Sequence, residues 1–230
     1  MNILEIPRND YKLWADKKLE RFSNKIDDLI VEINNPSSLT KPEKTYMSNI
    51  INQHNIVFFQ IDKEATDLKA AIKIMGSQIG LGNYEIDSKS DDDGLTEIKI
   101  HSKHQSNTEY IPYTNKKLNW HTDGYYNNNE NLILSWILFC RTQSESGGMN
   151  KYMDHEIAYI LFNEAYNNIS DLMLHNTYTI PENTHTQRKA VDSPIFSFIN
   201  GKLHMKFTMR EKNILWNDKS QKAASNLKNI

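Results

Sequence analysis

Asn119-Trp120-His121-Thr122-Asp123-Gly124-Tyr125-Tyr126-Asn127 is the stretch on which the reading of this chain turns. One residue separates His121 from Asp123. On an extended backbone side chains alternate with period two, so the two point to the same side. A neutral imidazole beside a carboxylate can hold a divalent metal. A second histidine from a distant strand would complete the two-His-one-carboxylate face that leaves iron(II) with open positions. The same residues also suit a plain turn, with Asp123-Gly124 reversing the chain and His121 on the surface. His-x-Asp alone does not choose between these.

Working outward, residues 132–141 read as a long apolar strand, and Gly147-Gly148 marks a loop. Asp154 stands at an N-cap position before a helix whose Ile157, Ile160 and Leu161 form an inner face. Residues 178–180 and 187–191 read as strands. Residues 195–199 and 202–208 flank Asn200-Gly201, a strong hairpin signal. On the second arm Leu203, Met205 and Phe207 alternate with His204, Lys206 and Thr208. Residues 218–227 read as a helix.

Upstream, Leu19, Phe22, Ile26, Leu29 and Ile33 follow a three-to-four spacing that predicts a helix, stopped by Asn34-Asn35-Pro36-Ser37-Ser38. Residues 56–61 predict a buried strand. Asp62 is placed to cap a helix with Leu68, Ile72, Met75 and Ile79 on one face, ending at Gly80 and Gly82. After the acidic turn Asp91-Asp92-Asp93-Gly94, residues 95–101 predict another strand. Many strands, with helices mostly at the start, suggest a β-sandwich or jelly roll decorated by helices.

Trp120-His121-Thr122-Asp123, the strand after it, Gly147-Gly148, and the helix opened by Asp154-His155-Glu156-Ile157-Ala158-Tyr159 follow one another in a specific order. In this the chain resembles the taurine catabolism dioxygenase (TauD/TfdA-like) family of Fe(II)/2-oxoglutarate-dependent oxygenases, from about residue 113 to residue 216. The resemblance implies an α+β protein with a double-stranded β-helix (jelly-roll) core decorated by helices. Residues 1–45 would be an N-terminal helical segment packed on that core, and residues 46–230 the oxygenase-like domain. It implies that His121 and Asp123 are iron ligands. Asn150 stands where the family usually carries a threonine that touches 2-oxoglutarate, and an amide can also donate to a carboxylate. Trp120, Tyr125 and Tyr126 would lie near the pocket mouth; the plainer alternative for all three is aromatic packing, which is favoured for Trp120 over direct substrate contact. In similar proteins the second iron histidine, and an arginine for the far carboxylate of 2-oxoglutarate, follow a further helix and strands. The sequence ends at Ile230, so a jelly roll missing its last strands is expected and neither residue is assigned. His204 is the best internal substitute ligand, against the plainer role of a hydrogen-bonded strand histidine. The implied activity is hydroxylation of a small organic substrate with Fe(II) and the cosubstrate 2-oxoglutarate. The alternative is a non-catalytic or truncated jelly-roll binding or assembly protein that keeps the scaffold.

Composition narrows the field. Lys and Arg number 27 against 29 Asp and Glu, a net charge of −2, which argues against a dedicated nucleic-acid binder. Aromatic residues at 10% are too many for a disordered chain. One cysteine, Cys140, excludes an intrachain disulfide and a multi-cysteine zinc site. Behind Trp136-Ile137-Leu138-Phe139 it reads as a small core residue. His155-Glu156-Ile157-Ala158-Tyr159 lacks the second histidine of a zinc-protease helix, and His155 reads as a surface or capping residue. His54, His101, His104, His175 and His185 have no motif around them. No apolar run approaches the ~20 residues of a membrane span, and no export signal is read. The expectation is a cytoplasmic protein whose partner is a small-molecule substrate, without nucleic acid or membrane. Unpaired strand edges would favour self-association.

Overall fold

In the computed structural model, which describes residues 8–61, 67–82, 95–100, 111–184, 187–210 and 214–230, the segment expected as one N-terminal helix is divided. Helix α1 (Arg8–Arg21) is followed by a 3-10 turn (Ile26–Leu29) and then strand β1 (Ile30–Ile33). Leu19, Phe22 and Ile26 are exposed rather than forming a buried stripe. The helical periodicity misled because Leu29 and Ile33 also fit a strand. In Ile30-Val31-Glu32-Ile33 the β-branched residues alternate, Val31 and Ile33 facing inward and Glu32 outward.

Helix α2 (Lys41–His54), which the hydrophobic pattern did not reveal, starts at a capping box. Thr40 Oγ1 accepts from the Glu43 amide, and the Glu43 carboxylate accepts from the Thr40 amide. Strand β2 (Phe58–Ile61) pairs in parallel with β1, from Ile30 against Phe58 to Ile33 against Ile61. Helix α3 (Leu68–Gln78) is capped by Asp67, whose carboxylate accepts from the Ala70 amide. Asp62 lies outside the described residues, as do the acidic turn 91–94 and His101, His104 and His185. Ile33, Met47, Ile50, Ile72 and Met75 form the core between this parallel pair and its helices, with Leu68 and Ile79 packed against it.

The second core is built by the C-terminal half. Helix α4 (His155–Tyr166) has Asp154 as its N-cap, the carboxylate accepting from the Glu156 amide as expected. Its buried face is Ile157, Ala158, Tyr159, Ile160 and Phe162, and Leu161 is exposed instead of inward. The strands β3 (Tyr178–Ile180), β4 (Val191–Ser193), β5 (Phe196–Ile199), β6 (Lys202–Met205) and β7 (Leu215–Trp216) follow, and helix α5 (Asp218–Leu227) comes last. They form an antiparallel sheet of order β4-β3-β7 and the hairpin β5-β6. The hairpin turns on Asn200 and Gly201, both with positive φ, as the favoured two-residue turn requires. The strand expected at 187–191 begins at Val191, and only an isolated bridge joins Asn183 to Arg188 before it. Tyr159, Phe162, Leu172, Tyr178, Phe196 and Ala223 are central to this core.

Two expected strands are not formed. Residues 95–100 and 132–140 run without a ladder. In 132–140 the alternation survives: Ile133, Ile137 and Phe139 are half-buried, whereas Leu134, Trp136 and Leu138 are exposed. Ile137 and Phe139 pack on the first core, and Phe139 stacks on Phe59 at 6.1 Å. Side-chain packing satisfies this pattern without strand pairing. Cys140 is exposed, not a core residue. The architecture is helices with several small sheets. No helix among the described residues is long and apolar enough to cross a membrane.

Candidate metal centre

The Trp120–Asp123 segment is fixed by the chain that follows β6. The Thr122 amide donates to Phe207 O at 2.8 Å, and the Met209 amide donates to Trp120 O at 2.9 Å, setting His121 opposite Thr208 as an antiparallel bridge. Thr122 Oγ1 also accepts from the Phe207 amide at 3.0 Å. The residue between the two candidate ligands is thus held against the segment after β6. His121 sits at the bridge, and Asp123 opens the turn that follows it.

There His121 Nε2 lies 3.6 Å from Asp123 Oδ1. His121 Nδ1 lies 2.8 Å from Asn119 O. A carbonyl can only accept, so Nδ1 carries the proton and Nε2 is the free lone pair when the ring is neutral. This is the tautomer a metal-ligating histidine uses, its other nitrogen held by a backbone carbonyl. The Asp123 carboxylate raises the imidazole's pKa, burial opposes it, and the Asn119 carbonyl adds to the rise. Donors each about 2.0–2.2 Å from a divalent cation stand at most ~4.4 Å apart, so the 3.6 Å separation is within the reach of a shared ion. The pair could share one divalent cation.

Gly124 makes the turn behind Asp123. Its φ is +65°, and a Cβ there would come within 2.5 Å of Ile133 Cγ1. The Asn127 amide donates to Gly124 O at 2.9 Å and closes the turn. Tyr125 and Tyr126 meet edge-to-face with centroids 5.2 Å apart; Tyr125 packs on the second core and Tyr126 is exposed. Trp120 is 43% exposed. Asn150 is exposed in the irregular stretch after Gly148, and among the described residues it forms no hydrogen bond with His121 or Asp123.

His204 does not join the pair. It sits on β6, its Nε2 3.2 Å from Ile133 O. Burial holds its pKa below the ordinary range, with the charges of His155 and Lys206 adding to this. It is the hydrogen-bonded strand histidine of the plainer reading. His155, expected at the surface or in a cap, instead places Nε2 2.9 Å from Leu203 O and ties α4 to β6. Among the described residues, no three His, Cys, Asp or Glu side chains gather where they could hold a metal ion.

Sequence reading gave no role to Lys206 or Tyr178. The Lys206 Nζ, buried at 3% exposure, donates to Asn127 O and to Ser193 Oγ. Tyr178, 1% exposed, donates to Tyr125 O at 3.0 Å. A lysine between Met205 and Phe207 in a strand arm was the available signal.

The model of the taurine catabolism dioxygenase TauD, TfdA family matches residues 16–197. The chain belongs to this family. The TauD, TfdA match takes in the first core and the second core as far as Phe196, and includes His121, Asp123 and Asn150. Members generally use Fe(II) and 2-oxoglutarate, so at family level this is a dioxygenase-type oxidoreductase. Neither a search of curated proteins nor one of solved structures gives a significant match.

Proposed function

We propose that this chain is an Fe(II)- and 2-oxoglutarate-dependent dioxygenase that hydroxylates a small organic substrate on a jelly-roll scaffold. The observation that carries the proposal is the His121–Asp123 pair: donors 3.6 Å apart, Nδ1 occupied by Asn119 O, and Thr122 bonded to the Phe207 amide. His121 Nε2 and an Asp123 oxygen would hold the iron. The chemistry supplied by bound metal and cosubstrate is oxidative decarboxylation coupled to C–H hydroxylation. His121 would keep its Nε2 lone pair free for the metal because the Asn119 carbonyl holds the proton on Nδ1. Asp123 contributes negative charge that offsets the cation's. Asn150 would donate its amide to a carboxylate of 2-oxoglutarate. Tyr125 and Tyr126 would border the substrate and limit water, Tyr125 from a fixed place on the core.

A second reading, a non-catalytic scaffold used for binding or assembly, is favoured by one observation. The described residues bring two candidate ligands together but no third. Succinate formation separates the two. With Fe(II), 2-oxoglutarate and oxygen, the enzyme should release succinate slowly even without substrate, and His121→Ala and Asp123→Ala should abolish this. A folded chain that yields no succinate above the His121→Ala background would favour the scaffold.

A further inference from the structure

The turn that carries Asp123 is held from inside the protein at two carbonyls. Tyr125 O accepts from the Tyr178 hydroxyl, and Asn127 O accepts from Lys206 Nζ. These carbonyls belong to the turn closed by the Asn127 amide on Gly124 O. Lys206 reaches on to Ser193 Oγ at 2.7 Å, and Ser193 is fully buried at the end of β4. Tyr178 on β3 and Lys206 after β6 therefore both terminate on the turn immediately following Asp123, and Lys206 ties it on to β4 through Ser193.

The physical economy of this arrangement is unusual. An ammonium is costly to bury beside neutral acceptors alone, and burial pushes the Lys206 pKa down to about 8. A stable core would be served equally well by an apolar residue at this position. What the lysine provides, and a methionine would not, is a directed bond to the Asn127 carbonyl.

We propose that Tyr178 and Lys206 are positioning residues for Asp123, anchoring the turn so that its carboxylate stays beside His121. This rests on the metal reading above and extends it to residues remote from the ligands. The bonds act through the backbone. Gly124 allows the chain to reverse at once, Tyr125 and Asn127 are pinned, and the freedom left to Asp123 is small.

The test uses the full chain and cobalt(II) alone as the probe, with affinity read from the visible absorption of the bound ion. Tyr178→Phe deletes one hydroxyl without changing shape, and Lys206→Met deletes the ammonium. Each should weaken cobalt binding about 10-fold, the usual scale for partners that orient ligands. Hydrogen exchange of the amides at residues 124–127 should accelerate in both. Ile72→Val, in the other core, should lower the melting temperature while leaving cobalt affinity and these amides unchanged. Wild-type cobalt affinity in both variants would overturn the anchor and leave the metal reading standing. Failure of the unaltered chain to bind cobalt would overturn the metal reading, and the anchor's proposed purpose with it.

Discussion

Replacing Lys206 by methionine should change how stability depends on pH, in a direction and amount fixed by burial. The side chain is 3% exposed and its pKa falls from 10.5 to about 8 because burial disfavours the charged form. Below pH 8 the amine is protonated in both folded and unfolded chains, and the whole penalty for burying the charge is present. Between about 8 and 10.5 the unfolded chain holds the proton more firmly, so stability rises with pH through this window. Integrated from pH 7 to pH 10, the gain is about 2.5 kcal/mol. Methionine matches the length of the aliphatic stem and has nothing to titrate. At pH 7 the variant escapes a penalty of about 3 kcal/mol. It also leaves Asn127 O and Ser193 Oγ without their donor, at about 1–3 kcal/mol each. The two proteins should therefore be of similar stability near neutrality and diverge in alkali. Urea unfolding followed by tryptophan fluorescence, for both proteins at pH 7 and pH 10, isolates the effect because titrations they share cancel. The wild type should gain about 2.5 kcal/mol relative to Lys206→Met over that interval. An identical pH response in the two proteins would refute the buried, charge-penalised lysine.

Gly124→Ala should lose about 1–3 kcal/mol in urea unfolding and weaken metal binding, since the residue combines a φ of +65° with a Cβ position 2.5 Å from Ile133 Cγ1; an unchanged midpoint would contradict the tight turn. Lys18 bridges Asp154 and Glu156 at 2.6 Å each and donates to Gln53 O, joining α1, α2 and the start of α4. Lys18→Met should cost about 3–5 kcal/mol, because Asp154 and Glu156 are left in a mostly buried place without their cation; calorimetry checks this. Thr40→Ala should cost about 1 kcal/mol by removing the capping box of α2, read as a lowered melting temperature.

Local chemistry was the part of this fold most legible in sequence. Asn200-Gly201 announced its hairpin because few residues accept two successive positive φ values. Asp154 announced α4 through its cap. Helix α2 was equally announced by Thr40-Lys41-Pro42-Glu43, but its apolar stripe is too sparse to be noticed first. Hydrophobic pattern alone found β2 and the stripe of α3 but elsewhere failed in both directions. Residues 30–33 fit a helical period yet pair as a strand with β2, and 132–140 alternate like a strand yet form no ladder. Pairing depends on what the rest of the chain places alongside, which no local window contains. At the site, His121 and Asp123 lie close as the sequence suggested, but Asp123 does so from a turn rather than from a strand. The Asn119 carbonyl that fixes the ring, and the hold of Tyr178 and Lys206 on the turn, depend on contacts 53 and 79 residues apart in sequence for the latter two.

Whether His121 and Asp123 hold iron together is tested most directly by anaerobic titration of the full chain with Fe(II) and 2-oxoglutarate, followed by visible absorption. The wild type should develop a weak charge-transfer band that saturates. His121→Ala and Asp123→Ala should show none at the same concentrations, with unchanged circular dichroism. A band of wild-type intensity and affinity in either variant would contradict the assignment.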